Sequence, residues 1–314
     1  MKISIIIPFL NEEENIPSLT KTLSNYFEDE KKHIFEVIFV NDGSTDNSKK
    51  QLIEEKKLNY SSKLISFSKN YGSHAALRAG IQESKGDYIT FIYADLQDPI
   101  SIVSKMCKKI EQDKSNEIIW ANRKSTKNGF IESLFSKIYS KLMRKFVLNS
   151  YPENGFDIVM FSKKISTILN KNIESNSSIF LQILSLGFKQ DFIYYEKEAR
   201  KIGKSKWTLS KKIKLFIDSF IAFSYAPIRL VTIIGILLFI FGICFSIYLI
   251  LRKIFFHDLV SGWPMLISII TLGFGITNIS LGIIAEYLWR TLDSSRKRPT
   301  FIIDEIIDLN KHHE

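Results

Sequence analysis

Three short polar clusters, each following a run of β-branched or aromatic residues, hold the side chains best placed to do chemistry. One is Val40-Asn41-Asp42-Gly43-Ser44-Thr45-Asp46-Asn47-Ser48. Gly43 suits a tight turn and Asp46 or Ser44 can cap a following helix, whereas Asp42 has no capping duty and sits where a base or ribose edge could be bound. A second is Tyr93-Ala94-Asp95-Leu96-Gln97-Asp98-Pro99. Pro99 suits the first turn of a helix with Asp98 as its N-cap, which leaves Asp95 and Gln97 unexplained by local structure. Oxygen ligands at i and i+2 after a strand can hold Mg²⁺ or Mn²⁺ against a diphosphate. The third, Pro8-Phe9-Leu10-Asn11-Glu12-Glu13-Glu14-Asn15, reads locally as a helix start with Asn11 as N-cap and acids complementing the helix dipole.

The elements that must position these clusters alternate in type. Ile3–Ile7, Phe35–Val40, Lys63–Phe67, Asp87–Tyr93 and Glu117–Ala121 are strand-like, and helix-like stretches at 13–27, 46–57, 73–84 and 99–113 fill the gaps. This order predicts an α/β fold with a mainly parallel sheet and helices on both faces. Ligands in such sheets bind beyond the carboxyl ends of the strands, where all three clusters fall.

The composition narrows the class further. The 314 residues are 45% hydrophobic and 13% aromatic, which excludes disorder. Two cysteines exclude a disulfide scaffold, and the five histidines show no ligand spacing. The run Met1–Pro8 is too short for a signal peptide, so the N-terminal domain is expected in the cytoplasm.

Two stretches, 230–251 and 263–285, contain no Asp, Glu, Lys, Arg or His, and each exceeds the roughly 18 residues that mark a membrane span. Residues 252–262 join them into a hairpin. Lys and Arg gather outside it, at Arg200, Lys201, Lys204, Lys206, Lys211, Lys212 and Lys214 before the spans and at Arg290, Arg296, Lys297 and Arg298 after them. Positive-inside bias then places both flanks in the cytoplasm, at a cytoplasmic (inner) membrane. Residues 208–226 put Leu209, Ile213, Phe216, Ile217 and Phe220 at helical spacing and read as an interfacial helix. The expected organisation is a cytoplasmic domain over 1–207, the interfacial helix over 208–227, two spans within 228–289 and a cytoplasmic tail over 290–314.

Several blocks together carry a resemblance that none carries alone. They are Ile6-Ile7-Pro8 with Asn11-Glu12, Asn41 to Asp46, Ser68-Lys69-Asn70-Tyr71-Gly72 with Ala75-Ala76 and Ala79-Gly80, Gly86-Asp87, Ala94 to Pro99, and Gly203-Lys204-Ser205-Lys206-Trp207. In sequence and order they resemble the family 2 glycosyltransferases of GT-A fold. Within that family they resemble the membrane-anchored polyprenyl-phosphate sugar transferases, which include dolichol-phosphate mannose synthase and bacterial undecaprenyl-phosphate enzymes.

The resemblance implies inverting transfer of a sugar from a nucleotide sugar, with UDP preferred, to a polyprenyl phosphate at the cytoplasmic face. It also implies roles. Pro8, Glu12 and Asp42 would line the nucleotide pocket. Asp95 would hold Mg²⁺ or Mn²⁺ with help from Gln97. Arg123, Arg200, Lys204 and Lys206 would meet phosphates, and Asp157 falls in the acceptor-side region, where a turn or cap role competes with a catalytic one. The implied partners are the donor, the lipid acceptor and the bilayer; a homo-oligomer stays open. Since the basic residues serve topology and phosphate, the net charge of +10 needs no nucleic acid to explain it.

Two positions depart from the pattern. Tyr93 stands where the metal motif usually begins with Asp, and Leu10 replaces the aromatic usually found two residues after Pro8. Tyr93 prompts one non-enzyme alternative, a degenerate sugar-nucleotide binder or assembly scaffold. Other activities lack their motifs: no Gln-x-x-Arg-Trp marks a processive synthase, Gly203-Lys204-Ser205 lacks the earlier glycine of a P-loop, and no G-x-G-x-x-G follows the first strand.

Overall fold

A computed structural model describes residues 1–55, 58–123, 139–152, 158–172, 178–197, 224, 226–256, 262–296 and 299–310. The elements of the first compact unit run β1 (Lys2–Phe9), α1 (Ile16–Asp29), β2 (Ile34–Asn41), α2 (Ser48–Glu54), β3 (Ser61–Phe67), α3 (Ser73–Glu83), β4 (Tyr88–Phe91), α4 (Ser101–Gln112), β5 (Ile118–Arg123), β6 (Ile158–Ser162), α5 (Lys163–Lys171), α6 (Ile179–Ser185) and β7 (Gln190–Tyr195). The second unit holds α7 (Ala226–Phe256) and α8 (Trp263–Arg296), after which β8 (Ile303–Asp308) returns to the first.

The eight strands among the described residues form one sheet in the order β7-β5-β6-β4-β1-β2-β3-β8. Only β6 and β8 run against the rest, so the expected mainly parallel α/β sheet is the one that folds. Its two faces follow from the alternation of side chains along each strand. Ile3, Ile5 and Ile7 of β1 join one core with Ile16, Leu19 and Leu23 of α1 and Ile102, Met106 and Ile110 of α4. On the other face Ile6 lies so close to Gly80 of α3 that a Cβ there would collide with the Ile6 side chain, and Phe91 meets Phe161 and Phe180 edge-on.

β1 lies between β4 and β2, the point where the strand order reverses, so a crevice opens beyond its carboxyl end. Pro8 is tolerated there despite its missing N–H. Ile6 turns its carbonyl to Ile92 at 3.0 Å, Pro8 faces the same side two residues later, and the β1–β4 ladder has already ended at Ile6 and Phe91.

The opposite end of the sheet is tied by charge. Buried Glu36 accepts the Ser4 hydroxyl, the Lys85 amide at 2.5 Å and the Lys2 ammonium at 3.1 Å. Burial pushes its carboxyl upward, yet these donors outweigh burial and hold it below the usual carboxylate range. Gly86 leaves room for the Ser4 amide, which would lie 2.6 Å from a Cβ, and Asp87 accepts the Lys2 amide at 2.8 Å. Gly86-Asp87 therefore serves the amino edge of the sheet, away from the crevice.

In the second unit, α7 has 31 residues and α8 has 34. At about 1.5 Å per residue both exceed the ~30 Å of a bilayer's hydrocarbon core. Both are long and apolar enough to cross a membrane, and the described side chains of their most apolar stretches are unburied, unlike those of a core helix in a soluble protein. Leu230, Leu237, Phe274 and Leu288 are all exposed. Within this unit the Tyr287 hydroxyl donates to the Ser224 carbonyl at 2.8 Å.

Candidate active site

The loop after β1 and the loop after β2 are joined by reciprocal hydrogen bonds. The Asn11 amide donates to the Ser44 hydroxyl at 3.0 Å, and the Thr45 amide returns the contact to Asn11 Oδ1 at 2.8 Å. Next along the chain, the Glu12 amide reaches Ser48 Oγ at 2.8 Å and the Glu13 amide reaches Asp46 Oδ2 at 3.2 Å. Glu13 in turn accepts the amide and side-chain nitrogen of Asn47 at 3.1 and 3.0 Å. Asp46 also takes the Ser48 amide at 3.0 Å, so it satisfies the start of α2 from two residues upstream. Burial would raise the Asp46 carboxyl, but the Ser48 and Glu13 donors prevail and keep it below its ordinary range.

These bonds correct one expectation. Asn11 does not cap α1: it adopts φ 50°, its side chain belongs to the neighbouring loop, and the helix begins only at Ile16, with Asn15 ahead of it and Pro17 in its first turn. Asn tolerates this left-handed conformation better than most residues. Glu12 ends in the bend before the helix, where its carboxylate accepts the Asn15 side-chain amide at 2.6 Å.

The β2 loop is braced from its other side by the loop after β3. Asp42 is buried, and its carboxylate accepts the Tyr71 amide at 2.7 Å and the Gly72 amide at 3.0 Å. Beside it, Gly43 has φ 69°, and a Cβ there would lie 2.6 Å from the Asn70 amide nitrogen. Glycine is required at this position by conformation and close approach together. Gly43 thus makes the turn its sequence predicts, and three successive strand ends share one hydrogen-bonded rim.

Across β1, the cluster after β4 forms a separate turn. Leu96 takes φ 54°, and Asp95 Oδ1 accepts the Gln97 amide at 3.3 Å. Asp95, Gln97 and Tyr93 are all partly exposed, at the carboxyl end of the strand beside β1. Asp98 is a second correction, because it does not cap α4, which starts at Ser101. It turns inward, accepting the Tyr195 hydroxyl at 2.6 Å and lying 3.5 Å from the Lys197 ammonium. The turn bearing Asp95 is thereby fastened to the end of β7. Arg123, the last residue of β5, is paired with Tyr195 in the ladder and so stands on the same edge.

Among the described residues no three His, Cys, Asp or Glu side chains group to cage a metal ion. One carboxylate and one amide oxygen, Asp95 and Gln97, suit a hard cation that completes its shell with a ligand's phosphates and water. The structure therefore brings Pro8, Glu12, Asp42, Asp95, Gln97 and Arg123 to one edge of the sheet. Asp157, Arg200, Lys204 and Lys206 lie outside the described residues, as does nearly all of the interfacial helix expected over 208–227.

This edge is what the comparisons match. The family model described as Glycosyl transferase family 2 fits residues 4–168, more than half of the 314-residue chain and inclusive of the carboxyl ends of β1 to β5. The chain belongs to glycosyltransferase family 2. Family 2 relatives match it almost end to end. The glycosyltransferase YkcC of Bacillus subtilis (strain 168) is 31% identical over 303 residues, covering 96% of this chain and 93% of the relative. A prophage bactoprenol glucosyl transferase homolog of Escherichia coli (strain K12) is 32% identical over 312 residues, covering 98% and 99%. The bactoprenol glucosyl transferase of Shigella phage SfX is 31% identical over 309 residues, covering 96% and 99%. The chain is thus a family 2 glycosyltransferase, and its likeness to these relatives extends through α7, α8 and β8.

Proposed function

We propose that this family 2 glycosyltransferase moves a sugar, with inversion, from a nucleoside diphosphate donor to a polyprenyl phosphate at a membrane surface. The observation that carries the reading is the near end-to-end match, apolar helices included, to relatives named bactoprenol glucosyl transferase. Glucose from UDP-glucose is accordingly the first donor to test. A lipid acceptor explains why a polar α/β unit is followed by two helices that could embed in a bilayer. The lysines and arginines that flank those helices support an arrangement with the catalytic unit on the cytoplasmic side.

A phosphate monoester already carries about −1.5 to −2 charges near pH 7, so the acceptor needs no strong general base. The slow event is departure of the nucleoside diphosphate, and the protein's work is to bind that group, align the acceptor oxygen behind the anomeric carbon and stabilise the leaving charge. In this reading Pro8, Glu12 and Asp42 hold the nucleotide, and Asp95 with Gln97 faces the diphosphate. Arg123 supplies positive charge on the same edge, while Arg200, Lys204 and Lys206 collect the lipid phosphate, and Asp157 lies on the acceptor side. A bound Mg²⁺ or Mn²⁺ at Asp95 would neutralise part of the diphosphate charge.

The full-length protein in detergent or nanodiscs, given undecaprenyl phosphate, Mg²⁺ and a panel of nucleotide sugars, tests this directly. A sugar–lipid phosphate that appears only with lipid acceptor, seen by mass spectrometry, is the expected result. Donor binding without any lipid product would overturn the reading.

A further inference from the structure

The strand order places the last strand of the chain beside the donor edge. β8 pairs antiparallel with β3, and its pairing ends at Phe67 opposite Ile303, with a register shift between Ser66 and Phe67. Immediately before β8, Phe301 stacks on buried Phe67 with ring centroids 5.1 Å apart and planes 18° from parallel. Phe67 in turn meets the Tyr71 ring edge-on at 5.6 Å. The Ser68 amide donates to the Ile302 carbonyl at 3.3 Å. On the strand itself, Glu305 forms an ion pair with Lys49, in the first turn of α2.

These contacts end on the parts of the rim already described. Tyr71 and Gly72 give their amides to Asp42, and α2 begins at Ser48, whose hydroxyl takes the Glu12 amide. Each end of the loop over residues 67–72 is therefore held, one by Asp42 and the other by a segment reached only after α8. Without Phe301 the Phe67 ring, against which Tyr71 packs, loses its stacking partner, and the amides that orient Asp42 lose that support.

We infer that Phe301 and β8 are positioning elements for the nucleotide donor: they set the 67–72 loop, and through it Asp42, although no residue of β8 is expected to touch the substrate. This rests on the reading that Asp42 lies in the donor pocket. It gives the segment after the apolar helices a task other than anchoring or topology.

The test uses full-length wild type, Phe301→Ala, which removes the ring, and Phe301→Tyr, which keeps it. Loss of one aromatic pair raises the donor KM about two- to tenfold. The expected result is that rise in Phe301→Ala, with kcat and the lipid-acceptor KM unchanged and Phe301→Tyr behaving as wild type. An unchanged donor KM in Phe301→Ala, or an equal effect on both substrates, overturns the inference. Amide hydrogen exchange gives an independent readout without turnover: faster exchange at Tyr71 and Gly72 in Phe301→Ala, restored in Phe301→Tyr, is expected. Unchanged exchange there would also overturn it. If wild type itself makes no lipid product, the proposed function fails while the exchange experiment still decides the positioning role. If Phe301→Ala does not fold, Phe301→Leu, which keeps apolar volume without a ring face, takes its place with the same expected outcomes.

Discussion

The Asp42 carboxylate accepts the Tyr71 amide at 2.7 Å, joining the end of β2 to the loop after β3 through a buried charge. The carboxylate presents two acceptor oxygens, Oδ1 to Tyr71 and Gly72 and Oδ2 to Gly72, whereas an asparagine amide presents one. In Asp42→Asn an oxygen at the Oδ1 position still accepts the Tyr71 amide, but the new NH₂ group faces the Gly72 amide as a second donor and the charge is gone. The cost is about 1–3 kcal/mol of stability, the order expected when a hydrogen bond to a charged group is lost. We predict a lower denaturation midpoint in urea and a weaker affinity for UDP by calorimetry; an unchanged UDP affinity would take Asp42 out of the donor pocket.

Asp95 belongs to the separate turn after β4 and should fail differently. It lies on a partly exposed turn, so Asp95→Asn removes charge without opening a cavity. Folding should be unaffected, while transfer should fall by at least about 100-fold, the order expected when an electrostatic stabiliser of the leaving group is removed. Turnover with UDP-glucose and undecaprenyl phosphate, read beside a thermal melt, checks both halves. Near-normal turnover would remove Asp95 from the mechanism.

What could be read from residues alone divides along a physical line. β1 to β5 and α1 to α4 were legible because side-chain period and turn residues are local properties, and β1 spans Lys2–Phe9 around its expected core of Ile3–Ile7. Asn11 and Asp98 read as helix caps for a related reason. Asn and Asp beside a helix start are good caps, and only the fold reveals that Ser44 and Thr45, or Tyr195 and Lys197, claim them instead. Ile303–Asp308 reads locally as tail, since pairing with β3 across some 240 residues leaves no mark in local spacing. Pro8, Glu12, Asp42, Asp95, Gln97 and Arg123 lie at or just beyond strand ends, but the bonds that brace Asp42 and fasten Asp98 are tertiary and leave no mark in the sequence.

Tyr195 offers a probe of the Asp98 anchor. Its hydroxyl donates to a carboxylate that is almost fully buried, a setting in which losing a donor costs about 1–3 kcal/mol. Tyr195→Phe keeps the ring and removes that bond. We expect a lower melting temperature and a reduced kcat, because the turn carrying Asp95 and Gln97 is held by the same anchor. Combining it with Lys197→Met, which removes a second partner of Asp98, should cost more than the two single changes added together. Strict additivity would show that the two groups do not act through Asp98.

His74, in the first turn of α3, sets a pH dependence that can be isolated. Its Nδ1 accepts the Ile179 amide at 3.5 Å, and its ring lies edge-on to Phe180 with centroids 6.0 Å apart. Burial, reinforced by the charge of Arg78, lowers its pKa from 6.5 to about 4. Between those values the unfolded chain binds a proton that the folded chain does not, so stability falls as pH drops from about 6.5 towards about 4. The loss at pH 5 relative to pH 7 is about 2 kcal/mol. His33, also lowered by burial, titrates with the same sign and remains in both proteins compared, so a single substitution separates the two. His74→Gln keeps an oxygen to accept the Ile179 amide and cannot titrate. The decrease in melting temperature between pH 7 and pH 5 should be smaller in His74→Gln than in wild type, and an identical decrease would assign the dependence elsewhere.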